Sequence, residues 1–232
     1  MIFKQILQGA LQLFFPHICQ GCGSDLLRPE NLLCIRCLSE LPHTRFAFFE
    51  NNPVEKIFIG RLPIAAAHSE FYFTKNELIQ TLIHKLKYNG RKDIGICLGE
   101  MLGTTLMQSG RFNNLDYLIP LPLFAQKEYE RGYNQAEIIC RGIQNISNNP
   151  ILTQNLIRQR PTETQTRKHR TERWQNVDGS FVLKDPSALK NKSILLVDDV
   201  LTTGATIEAC GRTLQEAEGL RLNIAVIAYA SK

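Results

Sequence analysis

The segment 193–206, SILLVDDVLTTGAT, constrains the fold more than any other part of the chain. The apolar run 194–197 leads into two adjacent carboxylates, Asp198 and Asp199, and then into a turn of Thr202, Thr203, Gly204, Ala205 and Thr206. A helical pattern follows over residues 207–218. An uninterrupted apolar run of this length suits a strand covered on both faces, as in a parallel sheet. A strand that ends at a helix N-terminus presents unpaired backbone N–H groups and the positive end of the helix dipole to an anion. Gly204 permits close backbone approach, and the three threonine hydroxyls add donors. The turn lacks the lysine of a Walker A loop, so a monophosphate suits it better than a nucleoside triphosphate. Adjacent carboxylates suit a vicinal diol, or a magnesium ion that a sugar diphosphate brings with it. A ribose diol beside a 5′-phosphate meets each of these demands.

The remaining pattern agrees with an α/β sandwich around a largely parallel sheet. DYLIPLPL (116–123) and LRLNIAVIAYA (220–230) read as further strands, and RLPIAAAHSEFYF (61–73) as a strand or hairpin. Leu78, Ile79, Leu82, Ile83 and Leu86 form a helical stripe stopped by Asn89 and Gly90, and further helices are expected over 93–108 and 136–146. FFENNPVEK (48–56) reads as a polar connector and AQKEYERGYNQ (125–135) as a loop.

The cysteines add a second constraint. Cys19-x2-Cys22 and Cys34-x2-Cys37, eleven residues apart, form two knuckles that can each aim two thiolates at one point. Together they suit a structural zinc, with an iron–sulfur centre as the alternative. Four thiolates leave no open coordination position for catalysis. His17 and His43 flank this module as outer or surface residues, and Cys97, Cys140 and Cys210 fall in helical patterns as core residues. Seven cysteines used in this way argue for a reducing compartment and a cytoplasmic location. Residues 1–15 place Phe3, Leu7, Leu11 and Phe14 opposite Gln5, Gln8 and Gln12. That pattern reads as an amphipathic helix that docks on the body or touches a membrane or partner, too short to span a bilayer. A net charge of +5 permits an anionic partner without requiring one, but residues 156–174 concentrate six basic residues against two glutamates.

Taken together, ILLVDDVLTTGAT resembles the signature with which type I phosphoribosyltransferases hold phosphoribosyl pyrophosphate (PRPP). With the paired CxxC knuckles, KLKYNG (85–90), LIPLPL (118–123), ERGYNQAE (130–137), RQRPTETQ (158–165) and RWQNVDGSF (173–181), the chain resembles the ComF family of competence proteins. Tyr133 stands where that family more often has phenylalanine. The resemblance implies an N-terminal helix and zinc finger over residues 1–50. Residues 51–232 would form a type I phosphoribosyltransferase-like α/β domain, a mostly parallel sheet flanked by helices.

The resemblance also implies residue roles. Asp198 and Asp199 would hold the ribose hydroxyls, and Thr202, Thr203, Gly204, Ala205 and Thr206 the 5′-phosphate. Arg131, Gly132, Tyr133, Asn134 and Gln135 occupy the position of the pyrophosphate loop, where a guanidinium can clamp phosphate oxygens. Catalysis would fall to Asp198, Asp199 and Arg131. Arg158, Arg160, Thr162, Gln165, Arg167, Lys168 and Arg170 coincide with the loop that closes over the reaction. Nucleic-acid contacts would come from Lys87, Tyr88, Arg167, Lys168, Arg170, Arg173 and Trp174, by phosphate pairing and base stacking. The implied function is handling of incoming single-stranded DNA in the cytosol during natural transformation, with a site for PRPP and its magnesium and with competence-machinery partners. The alternative is a phosphoribosyltransferase acting on an unidentified small acceptor, without a direct DNA role. A scaffold with a vestigial site is the weakest reading, because two buried carboxylates without a ligand are costly.

Overall fold

The computed structural model of the protein describes residues 17–25, 31–74, 77–159 and 180–230. The expected helix at residues 1–15 lies outside them. Four parallel strands form the central sheet in the order β1 (Ala66–Tyr72), β6 (Arg221–Tyr229), β5 (Ser193–Leu201) and β2 (Tyr117–Pro120). The apolar runs foretell the two central strands. Leu195 and Val197 of β5 pack toward one face of the sheet, while Ile194 and Leu196 pack toward the other, all fully buried. A second sheet pairs β3 (Leu156–Arg158) with β4 (Phe181–Leu183) antiparallel.

Seven helices flank these strands in the described residues: α1 (Ile35–Ser39), α2 (Pro53–Phe58), α3 (Leu78–Tyr88), α4 (Lys92–Ser109), α5 (Ala125–Arg131), α6 (Gln135–Ser147) and α7 (Ala205–Leu214). Helices α3, α4 and α6 cover one face of the sheet; α2 and α7 cover the other. The α4–α6 contact is backbone-close. A Cβ on Gly99 would lie 2.3 Å from the Ile139 carbonyl oxygen, and one on Gly142 would lie 2.2 Å from that of Ile96. Only glycine fits at this crossing.

Two segments differ from the sequence expectation. The 48–56 connector contains α2, whose start is built by Asn52: its side chain accepts from the Val54 and Glu55 amides, with Pro53 in the first turn. The Asn52 amide group also donates to the Ala67 carbonyl at 2.9 Å, tying α2 to the edge of β1. The 125–135 loop begins as α5, a helix without buried residues, so no apolar stripe announces it. Segment 61–73, expected as a strand or hairpin, contains the single strand Ala66–Tyr72.

The cysteine module is joined to the sheet domain through the core. Cys19, Leu33, Cys37 and Leu41 pack in the same cluster as Ile79 and Leu82 of α3. His43 Nδ1 lies 2.8 Å from the buried Glu70 of β1, which also meets His68 Nε2 at 3.0 Å. Cys140 and Cys210 are buried core residues, and Cys97 is half-buried. Among the described residues no helix is long and apolar enough to cross a membrane.

Candidate functional site

The site forms at the C-terminal end of β5, where strand order and pleat set the direction of each side chain. Asp198 and Asp199 are consecutive strand residues, so they leave the backbone toward opposite faces. Asp199 is buried and pairs with Lys87 Nζ of α3 at 2.9 Å. Asp198 accepts from the Asp199 amide at 2.8 Å. Burial, reinforced by the negative charge of Asp199, raises the Asp198 carboxyl to about 7. Lys87 and Arg158 oppose that rise without cancelling it. Asp198 itself is half-buried.

After Leu201 the chain turns through exposed Thr202 and Thr203 into Gly204, which takes φ 76° and caps α7. A side chain at Gly204 would also meet Ile57 at 2.9 Å and Phe58 at 3.2 Å, so the turn is seated on α2. The first amides of α7, from Ala205 onward, have no partner four residues back within the helix; that of Ala205 lies 3.5 Å from Thr203 Oγ1. Thr206 is half-buried in this first turn. The arrangement suits a small dianion held by backbone donors.

Two further segments approach this end of the sheet. Arg131 ends α5, its guanidinium 5.4 Å from the centre of the exposed Tyr88 ring. Gly132 turns the chain at φ 76°. Tyr133 points inward, donating to the Leu86 carbonyl with its ring beneath Lys92 Nζ, so its side chain holds the loop against α3. Asn134 caps α6, accepting from the Ala136 amide at 2.9 Å and donating to the Leu121 carbonyl at 3.0 Å. Gln135 is buried, and its Nε2 has no hydrogen-bond partner among the described residues. The KLKYNG and RGYNQ segments therefore meet beside the acidic strand end. The sequence places Lys87 and Tyr88 as candidates for a nucleic-acid or base-side surface. The ion pair of Lys87 with Asp199 depends on α3 lying over β5, which no local pattern announces.

Arg158 closes β3, 5.4 Å from the Phe181 ring. Burial lowers its pKa, against the attraction of Asp198. The β3–β4 ladder pairs Arg158 with Phe181 beside the Asp198 face. Arg160, Thr162, Gln165, Arg167, Lys168, Arg170, Arg173 and Trp174 all lie outside the described residues.

The four cysteines of the two knuckles converge. Their sulfurs all lie within 4.8 Å of one another, and Cys22 Sγ is 3.7 Å from Cys34 Sγ. A zinc tetrahedron with Zn–S bonds of about 2.3 Å has S···S edges of about 3.8 Å, so the spacing fits. Backbone amides point at two of the sulfurs: Cys34 N–H donates to Cys19 Sγ at 3.2 Å, and Cys37 N–H to Cys34 Sγ at 3.4 Å. Hydrogen bonds from Ser24 lower the Cys22 thiol to about 6. Burial and the neighbouring sulfurs raise Cys37. One thiol is thus held up by burial and by the sulfurs around it, the state that a cation at the centre relieves. The donor set suits a metal such as zinc.

Residues 135–232 match the phosphoribosyl transferase domain. The chain is 25% identical over 200 residues to DNA utilization protein YhgH of Salmonella typhimurium, covering 85% of this chain and 77% of that protein. It is 27% identical over 199 residues to competence protein ComFC of Bacillus subtilis, covering 86% and 78%. With competence protein F of Haemophilus influenzae the identity is 28% over 214 residues, covering 88% and 93%.

Proposed function

We propose that this ComF-like chain, a competence-related protein with a phosphoribosyltransferase-like domain, binds PRPP with magnesium at the end of β5 and handles single-stranded DNA in the cytosol. The observation that carries the PRPP reading is the convergence on one strand end of three separate segments. These are the Asp198–Asp199 pair with its threonine turn, Lys87, and the Arg131–Gln135 loop. Asp198 and Asp199 accept from the ribose hydroxyls, and the Thr202–Thr206 turn with the α7 amides binds the 5′-phosphate. Arg131 and the Gly132 turn take the diphosphate. When bound, magnesium neutralises diphosphate charge and polarises the departing pyrophosphate. The protein's part in any transfer is to fix the ribose and to hold donors where charge develops.

The DNA reading is supported by the names of the relatives, competence protein and DNA utilization protein, and by the six basic residues that the sequence concentrates in 156–174. Lys87 is held by Asp199, so Tyr88, with its exposed ring, is the contact that α3 contributes to DNA. Calorimetry with PRPP and magnesium tests the first half. Submicromolar to micromolar binding, lost in Asp198→Asn with Asp199→Asn, is expected, and no binding to the wild-type protein refutes it. Titration of labelled single-stranded DNA at two salt concentrations tests the second. The expected result is a steep salt slope that flattens when Arg167, Lys168 and Arg170 are reversed in charge. Pyrophosphate release from PRPP, with and without candidate acceptors, measures turnover.

A further inference from the structure

We infer that Arg61 is a positioning residue for the 5′-phosphate, acting through the backbone of the threonine turn rather than on the ligand; the inference rests on the PRPP reading. Arg61 lies between α2 and β1, outside the 135–232 domain match. Its Nη1 donates to two carbonyls, Ile57 at 3.1 Å and Thr203 at 3.1 Å. Its Nε lies 2.9 Å from Glu208 Oε2, and Nη2 donates to the same carboxylate oxygen. A guanidinium has five N–H donors, and four are committed here, so little of Arg61 remains for a phosphate.

Glu208 is the other end of the brace. It is a carboxylate in the first turn of α7, its side chain only 8% exposed, and Arg212 Nη2 holds its second oxygen at 2.7 Å. Its burial fixes it, and it fixes Arg61. Arg61 in turn holds the Thr203 carbonyl toward α2, one residue before Gly204, which is already pressed on Ile57 and Phe58. A peptide unit whose carbonyl is drawn one way presents its following amide the other way. The brace therefore keeps the Gly204 amide, and the α7 amides after it, aimed at the phosphate and keeps a carbonyl oxygen from turning in to repel it. Preorganised donors of this kind bind without reorganising.

Calorimetry of Arg61→Met, Arg61→Lys and Glu208→Gln with two probes, ribose 5-phosphate and magnesium pyrophosphate, tests the brace. Each probe occupies a different half of the site. Arg61→Met is expected to weaken ribose 5-phosphate by at least about tenfold, on the scale of one charge-assisted hydrogen bond. Pyrophosphate affinity should stay within about twofold. Arg61→Lys, which can reach Glu208 or Thr203 but not clamp both, should fall between, with unchanged circular dichroism; it serves as the test where Arg61→Met does not fold. Equal losses for both probes, or unchanged ribose 5-phosphate affinity in the folded variants, overturn the inference. Wild-type protein that binds neither probe overturns the PRPP reading and this inference with it.

Discussion

Asp198→Asn is expected to stabilise the protein at alkaline pH while removing its PRPP binding. The carboxyl of Asp198 is raised from an ordinary 3.8 to about 7 in the folded chain, by burial first and then by Asp199. A carboxyl with a raised folded pKa binds its proton more tightly when folded. Folding stability therefore falls as pH rises from the unfolded pKa to the folded one, and stays low above it. One pKa unit corresponds to about 1.4 kcal/mol, so the full shift costs about 4 kcal/mol at pH 8, and about 2–3 kcal/mol of that is lost between pH 5 and 8. Asp198 keeps some solvent access, which reduces the pH-dependent part to about 1–2 kcal/mol. Asparagine keeps the shape and an acceptor oxygen without the charge. Urea denaturation of both proteins at pH 5 and pH 8 reads the difference directly. The variant should gain about 1–2 kcal/mol on the wild type as pH rises, and calorimetry at pH 8 should show PRPP binding lost. A wild-type–variant difference that is the same at both pH values refutes the reasoning, because Asp198 would then be ionised at low pH like any surface aspartate.

Lys87→Met removes the partner of a nearly buried carboxylate. The pair is part-exposed, with side-chain exposures of 22% and 11%, so a cost of about 1–3 kcal/mol is expected, below that of a fully buried pair. Adding Asp199→Asn should recover most of it in denaturation curves. Cys22→Ser should release the metal and lower solubility or melting temperature, read by elemental analysis and a thermal scan. Metal-free wild-type protein that is fully folded would overturn the zinc site. Gly204→Ala should lose about 1–2 kcal/mol, since alanine is strained at φ 76° and its methyl would lie 2.9 Å from Ile57. The same variant should bind ribose 5-phosphate more weakly, and calorimetry on the folded protein checks this.

The parts legible in the sequence are those carried by local pattern. The apolar runs of β5 and β6 require burial on both faces, which leaves the sheet interior as their place. The CxxC spacing aims four sulfurs at one point because each knuckle is a local turn. The acidic pair, Gly204 and the helix after it form one strand–turn–helix unit, so this half of the site can be read along the chain. Elements with weak local signals were not legible: α5 buries no residue, and α2 depends on Asn52 reaching the backbone of β1. The partners of the site lie still further from any pattern. Lys87 meets Asp199 only because α3 packs over the β5 face, and Arg61 meets Thr203 and Glu208 across more than a hundred residues of chain. Adjacency along a strand sends the two aspartates to opposite faces, but which of them meets Lys87 was beyond the sequence, because the packing of α3 decides it. Periodicity records what a residue's neighbours along the chain require; the partner of a buried charge is chosen by how the layers stack.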